Sequence, residues 1–216
     1  MEQNDPWAAI DDQRRALVRL LEDLPEQELR RRSLCEGWTV RQVAAHLALQ
    51  NTTWPAMPRA VLDLIRHGGM NGAIRAMACR HAELPVEVIV GEIRGRIGVW
   101  RPMPTVTFRE TAIDYLVHAQ DIAVPLGRTL PMPPDLAVLA ADRVWSSPRM
   151  FHARKKLAGY RLVADDTSWT AGQGHEVSGP IGALLLLLTG RPAALPQLSG
   201  PGAAYLRKLL TPSPAA

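Results

Sequence analysis

TFRETAIDYLVHAQDIAVPLG, residues 107–127, reads as one helix from end to end. Thr107 and Glu110 have the spacing of a capping box, in which a hydroxyl and a carboxylate satisfy backbone N–H groups at a helix start. Pro125 and Gly127 end it, and Ile113, Leu116, Val117 and Val124 form an apolar stripe that needs a partner. The same signs recur upstream in SLCEGWTVRQVAAHLA, residues 33–48. There Thr39 and Gln42 repeat the capping-box spacing, and Val40, Val43, Ala44 and Leu47 follow as an i, i+3, i+4, i+7 stripe. This helix is expected to start near Thr39 and to end before Pro55.

Working outward, residues 7–24 set Ile10, Leu17, Leu20, Leu21 and Leu24 among charges, the pattern of an amphipathic helix. Residues 57–82 contain Pro58 and Gly68-Gly69 and read as short helical pieces and a loop. A further long helix is expected from Val86 to Trp100, stopped by Pro102 and Pro104. Four long helices therefore occupy the N-terminal part. RTLPMPPD, residues 128–135, is proline-rich and marks a boundary near 130. Beyond it lie a helix at 135–146, short strands joined by Asp, Gly and Ser turns at 160–180, and a buried helix within 181–195 ended at Gly190 and Pro192. The expected division is a helical bundle over 1–130 and a small α+β domain over 131–216.

Composition narrows the function classes. With 47% hydrophobic and 21% charged residues, the 216-residue chain has enough apolar surface for a core without disulfides. Its net charge of +4 is a mild basic excess, and the runs Arg30-Arg31-Arg32 and Arg154-Lys155-Lys156 are too brief to predict a nucleic-acid surface. Arginines near a cleft would instead meet a small anionic molecule. The longest apolar run, Ile181 to Leu188, is far short of the ~20 residues that span a bilayer, so no membrane is expected. Cys35 and Cys79 form no CxxC pair and read as loop thiols, and MEQNDPWAAIDDQ lacks the basic start of an export signal, so a cytoplasmic location is expected.

On the 107–127 helix, Glu110, Asp121, Asp114 and His118 fall at roughly 60°, 80°, 100° and 140° from Ile113. Four titratable groups thus share one sector bordering the apolar stripe. Asp114 and His118, spaced i, i+4, stack a carboxylate and an imidazole one turn apart. On the second helix, His46 lies about 60° from Val43, at the edge of that stripe. If the two helices are neighbours, His46, Asp114 and His118 converge as a set suited to a divalent ion such as zinc with open positions. The same spacings also describe a solvated helix pair and a packed core histidine, and the pattern alone leaves both readings open.

CEGWTVRQVAAHLA (35–48), DYLVHAQDIAVPLG (114–127), LVADDTSWTAGQG (162–174) and GPIGALLLLLTGRPAAL (179–195) together resemble the mycothiol-dependent maleylpyruvate isomerase family, in the right order over nearly the whole chain. The resemblance implies a mainly α fold, a DinB-like four-helix bundle followed by a small C-terminal α+β domain. It also implies a divalent metal, usually zinc, held by a second-helix histidine and a carboxylate-x3-His pair, matched here by His46, Asp114 and His118. Founding members use glutamate where Asp114 stands, one methylene shorter. Either the helices approach more closely, or Glu110 or Asp121 contributes. Asp121 is the preferred partner for fixing the tautomer of His118, with Glu110 the other candidate around the ligands.

The family implies a metal-activated thiol, mycothiol or a similar small thiol, adding to a small electrophilic and anionic substrate. Isomerisation or S-transfer follows. A metal-dependent hydrolase on the same residues and a non-catalytic small-ligand-binding protein are the alternatives. The expected partners are the substrate and the thiol, with the chain a monomer or homodimer.

Overall fold

The computed structural model describes residues 5–50, 66, 69–100, 106–148 and 151–210. Packing divides the chain into two units, Met1–Leu130 and Pro131–Ala216. Helix is the main element in both, with one small sheet in the second.

In the first unit α1 (Pro6–Glu22) opens on Asp5, whose side chain accepts the Trp7 N–H at 3.0 Å, with Pro6 in the first turn. The single turn α2 (Glu26–Leu29) precedes α3 (Val40–Ala48), α4 (Met70–His81), α5 (Val86–Arg94) and α6 (Phe108–Ala123). A 3-10 turn over Val124–Leu126 then ends on Gly127 in the left-handed region, at φ 67°. Helix α1 packs on α5 and α6, while α3 packs on α4, α5 and α6. The four long helices read from the sequence are α1, α3, α5 and α6. Ile10, Leu17, Leu21, Val43, Leu47, Ile89, Ile93, Leu116 and Ile122 are buried between them.

Two elements differ from expectation. Residues 70–81 form one continuous helix in place of short pieces, because Gly69, at φ 122°, sits at its N-cap and begins the helix that the glycines were expected to break. The Pro55 and Pro58 signals fall outside the described residues. Helix α5 stops at Arg94, well before Trp100. The segment after it is drawn onto α1, where Asp11 Oδ2 accepts the Gly98 N–H at 2.9 Å and the Trp100 Nε1–H at 3.0 Å. Arg14, fully buried, donates to Asp11 Oδ1 at 2.9 Å and to the Arg96 carbonyl at 2.7 Å. Burial alone would raise the Asp11 carboxyl, but the bonds from Trp100, Gly98 and Arg14 outweigh it and hold the group below its ordinary value.

The second unit holds α7 (Pro134–Ser146), α8 (Ala153–Lys156), strands β1 (Tyr160–Ala164), β2 (Thr170–Gly172) and β3 (His175–Gly179), α9 (Ile181–Leu188), a 3-10 segment (Pro192–Gln197) and α10 (Pro201–Leu210). The sheet order is β2-β1-β3, with β2 antiparallel and β3 parallel to β1. The chain therefore passes from one edge of β1 to the other within Gly172-Gln173-Gly174. That crossing needs both glycines: a Cβ on Gly172 would stand 2.3 Å from the Tyr160 carbonyl oxygen, and one on Gly174 2.0 Å from that of Gly159. Helix α9 is shorter than the expected 181–195 segment, and Gly190, at φ 82°, follows its end. Its leucines, Leu184 to Leu188, are buried against α7, β1 and β3.

Candidate metal centre

The centre belongs wholly to the first unit and begins with two helix starts. Both predicted capping boxes form: Gln42 N–H donates to Thr39 Oγ1 at 3.3 Å while Gln42 Oε1 accepts Thr39 N–H at 2.9 Å. At α6, Glu110 Oε2 accepts Thr107 N–H at 2.8 Å and Thr107 Oγ1–H at 2.5 Å. These boxes fix where α3 and α6 begin and so which way their side chains face. Since α3 and α6 are neighbours, His46 from one meets Asp114 and His118 from the other. One ligand atom from each of the three lies within 4.8 Å of the others. The His46 and His118 rings stand edge to face, with centroids 4.9 Å apart, and Trp38 presents its ring to His46 at 5.8 Å.

Asp121 lies one turn beyond His118 and has no solvent exposure. Its Oδ2 accepts a hydrogen bond from His118 Nδ1 at 2.8 Å and another from Cys35 Sγ at 3.0 Å. The loop carrying Cys35 is tied to α6 through Leu34 N–H and the Asp121 carbonyl, at 3.1 Å. With Nδ1 turned to Asp121, the remaining nitrogen of His118, Nε2, is the one left to face a ligand. Gln50 Nε2 donates to Asp114 Oδ2 at 2.5 Å. Glu110 is placed differently from the other expected residues, because its carboxylate is engaged at the α6 cap.

Burial pushes His46 down to about 3, helped by the charge of His118 and opposed by Asp121, so its imidazole is neutral at physiological pH. Burial also works against the charged form of His118. Its bonds to Asp121 and Cys35 and the negative charges of Asp114 and Asp121 outweigh that, pushing His118 up to about 10. One neutral and one protonated imidazole therefore face each other without an ion. A divalent ion held by His46, Asp114 and His118 would supply the positive charge that this proton supplies.

The donor set fits such an ion. At metal–ligand distances of about 2.1 Å, two donors lie roughly 3.4 Å apart in a tetrahedron and at most about 4.2 Å apart across an octahedron. Separations up to 4.8 Å close to these values with side-chain shifts below about 1 Å. Cys35, His118 and Asp121 form a second such group that shares His118.

Sequence reasoning missed two neighbours of the cluster. Cys35, read as a loop thiol with no base nearby, finds its partners on α6, more than eighty positions later, and no spacing rule signals a contact of that kind. Gln50 did carry a signal, since it stands four residues after His46, one turn along. A cavity of about 210 Å³ opens beside His46 and Asp114.

The fold and the cluster define a class: a helical bundle with a two-histidine, one-carboxylate centre, in a chain that continues into a small α+β unit. Residues 10–71 match the family model described as the mycothiol maleylpyruvate isomerase N-terminal domain. That stretch of the chain is thus similar to the family that the sequence resemblance pointed to. The chain also has the fold of the crystal structure of the mycothiol-dependent maleylpyruvate isomerase, at 16% identity, with 92% of each chain covered and a TM-score of 0.64. A histidine-to-alanine variant of that isomerase is similar at 15% identity, 92% coverage of each chain and a TM-score of 0.63. No curated protein sequence matches the chain.

Proposed function

We propose that the protein is a cytoplasmic metal-dependent enzyme that uses mycothiol, or a related low-molecular-weight thiol, to isomerise or S-modify a small electrophile. The observation that carries this reading is the convergence of His46, Asp114 and His118 beside an open cavity. Their donor chemistry suits Zn2+, two neutral imidazoles and a carboxylate leaving positions for other ligands. The 1–130 bundle holds the centre, and 131–216 is a separate α+β domain. The names of the matched family and structures support the choice of thiol.

A zinc ion held here supplies positive charge that draws the pKa of a coordinated thiol toward neutrality. The chain's own residues prepare that position. His46, kept neutral by burial, offers a lone pair without first losing a proton. Asp121 keeps the proton of His118 on Nδ1 and so directs Nε2 inward. Gln50 binds Oδ2 of Asp114 and so orients that carboxylate, and the contact of α3 with α6 supports a reach for the shorter side chain. Glu110 contributes from a distance, by fixing the start of the helix that carries both α6 ligands.

Metal analysis tests the reading directly. Purified wild type is expected to hold about one divalent ion per chain, with His46→Ala and His118→Ala losing most of it. Absence of metal, or content unchanged by both substitutions, overturns the centre. With metal present, turnover of small electrophiles should require added thiol. Turnover in water alone assigns a hydrolase, and binding without turnover assigns a ligand-binding protein.

A further inference from the structure

We propose that Cys35, His118 and Asp121 form a second ion site, built on the other nitrogen of the His118 ring, that takes a thiophilic divalent ion such as Cd2+ or Zn2+. The site goes beyond the reading of the outer cluster, which uses neither Cys35 nor Nδ1 of His118.

The donors are already gathered. His118 and Asp121 lie one turn apart on α6, and Cys35 reaches them from the loop before α3. Cys35 Sγ stands 3.0 Å from Asp121 Oδ2 and 3.6 Å from His118 Nδ1, which is itself 2.8 Å from the same oxygen. With a zinc–sulfur distance of about 2.3 Å and zinc–nitrogen and zinc–oxygen distances of about 2.0–2.1 Å, the edges of a tetrahedral site measure about 3.3–3.6 Å. The sulfur–nitrogen edge has that length without adjustment. The two edges to Asp121 open by about 0.5 Å each.

A ligand on a loop is useful only where the loop is held. Here Leu34 N–H donates to the Asp121 carbonyl at 3.1 Å, Ser33 N–H to the Trp38 carbonyl at 2.9 Å and Trp38 N–H to the Cys35 carbonyl at 3.0 Å. Cys35 N–H donates in turn to Ser33 Oγ at 3.2 Å. An ion therefore finds Cys35 in place and does not have to order its backbone.

The charge balances as well. Asp121 has no solvent exposure, and two hydrogens, from the Cys35 thiol and from His118 Nδ1, converge on its Oδ2. A divalent ion entering among the three donors expels these two hydrogens as protons, leaving Cys35 a thiolate and Nδ1 with a lone pair. Two positive charges enter and two leave, so the net charge of the buried group is unchanged and no uncompensated charge is created. The thiolate is a soft donor that the outer cluster lacks, and it favours a thiophilic ion over Mg2+ or Mn2+. Filling this site releases two protons where the outer ion displaces one. It is therefore expected to fill when ion is supplied in excess, and the protein as purified still holds about one ion.

The test is titration of the metal-free full chain with Co2+, followed by absorbance, and with Cd2+, followed by metal analysis after dialysis. Cobalt bound to a thiolate absorbs strongly in the near ultraviolet by sulfur-to-metal charge transfer, and cobalt bound by nitrogen and oxygen alone does not. Wild type should show the band and bind about two Cd2+ per chain. Cys35→Ser should lose the band and bind about one, with helical circular dichroism unchanged. Cys79→Ser, on α4, should match wild type, and His46→Ala should keep the band. A readout without a substitution guards against a variant that fails to fold: in wild type, excess Cd2+ should slow alkylation of Cys35 at least tenfold and leave Cys79 unaffected. No band in wild type, a band that survives in Cys35→Ser, or Cys35 alkylation indifferent to Cd2+ overturns the proposal. His46→Ala that keeps the band and also binds as many ions as wild type refutes the outer centre and leaves the Cys35 site standing.

Discussion

Replacing Asp121 with asparagine keeps the shape of the side chain and removes the charge that holds a proton on His118. With His118 at about 10, only about one metal-free molecule in a thousand has that imidazole neutral at pH 7. An ion that binds its Nε2 must first displace the extra proton. The displacement weakens apparent affinity by about a thousandfold, or about 4 kcal/mol, at pH 7. Because His46 is already neutral, His118 is the group whose proton the ion displaces. Wild-type apparent affinity should therefore rise about tenfold per pH unit between about pH 7 and 9. In Asp121→Asn the bond that does most to raise the buried imidazole and one of the two charges are gone, so its pKa falls and this dependence is lost over the upper part of the same range. Loss of the orienting carboxylate lowers intrinsic affinity by about 10- to 100-fold, so at neutral pH the two effects oppose each other. The distinguishing result is a lost slope, whatever the affinity at one pH. Chelator competition at several pH values measures it, and calorimetry in two buffers of different ionisation enthalpy counts the protons released. A flat wild-type profile, or a variant as steep as wild type, refutes the role given to Asp121.

His46, held down at about 3, makes a contribution to metal-free stability that is full above its unfolded value of 6.5 and declines as pH falls through that range toward 3. At pH 5 the unfolded chain has taken up a proton the folded chain refuses, a loss of about 2 kcal/mol from this group relative to pH 7.5. His118 runs the other way, its stabilisation being full below 6.5 and lost as pH rises toward 10. Urea unfolding of metal-free wild type and His46→Phe at pH 5 and 7.5 isolates the first effect, and an equal pH dependence in both proteins contradicts it. In the second unit, Gly174→Ala brings a methyl against the Gly159 backbone in a left-handed conformation, at φ 121°, and should destabilise that unit by about 3 kcal/mol or more. Unfolding followed by the fluorescence of Trp145 and Trp169 reads it, and a shift below about 0.5 kcal/mol counts against the crossing.

The parts of this molecule that local sequence encodes are the parts that could be read. Thr39 with Gln42, and Thr107 with Glu110, announce helix starts because a cap is a contact between residues three apart. The α6 cluster was legible for the same reason: Asp114, His118 and Asp121 are related by turns of one helix. What carried no local signal was long-range. Nothing near Cys35 predicts Asp121, and nothing near Asp11 predicts that α5 gives way to a segment bound at Gly98 and Trp100. Gly68-Gly69 was ambiguous for a further reason. A glycine with positive φ breaks a helix from within and begins one from its end, and the backbone on either side decides which.

The caps do more than mark boundaries. His46 stands seven residues after Thr39, and Asp114 seven after Thr107. Seven residues turn about 700°, some 20° short of two full turns, and advance about 10.5 Å. Each ligand is thus on the face of its own cap, two turns along, with His118 one turn further on α6. The helices that carry ligands are those with capping boxes, whereas α4 and α5 begin at Gly69 and Pro85 without a side-chain cap and supply cavity wall and core. The difference follows from tolerance. An apolar stripe about 100° wide still buries its residues if a helix start slips slightly, but a metal ligand displaced by one residue rotates by about 100° and leaves the site. Precision at the centre is therefore set some 10 Å away, where Gln42 and Glu110 close the first turns.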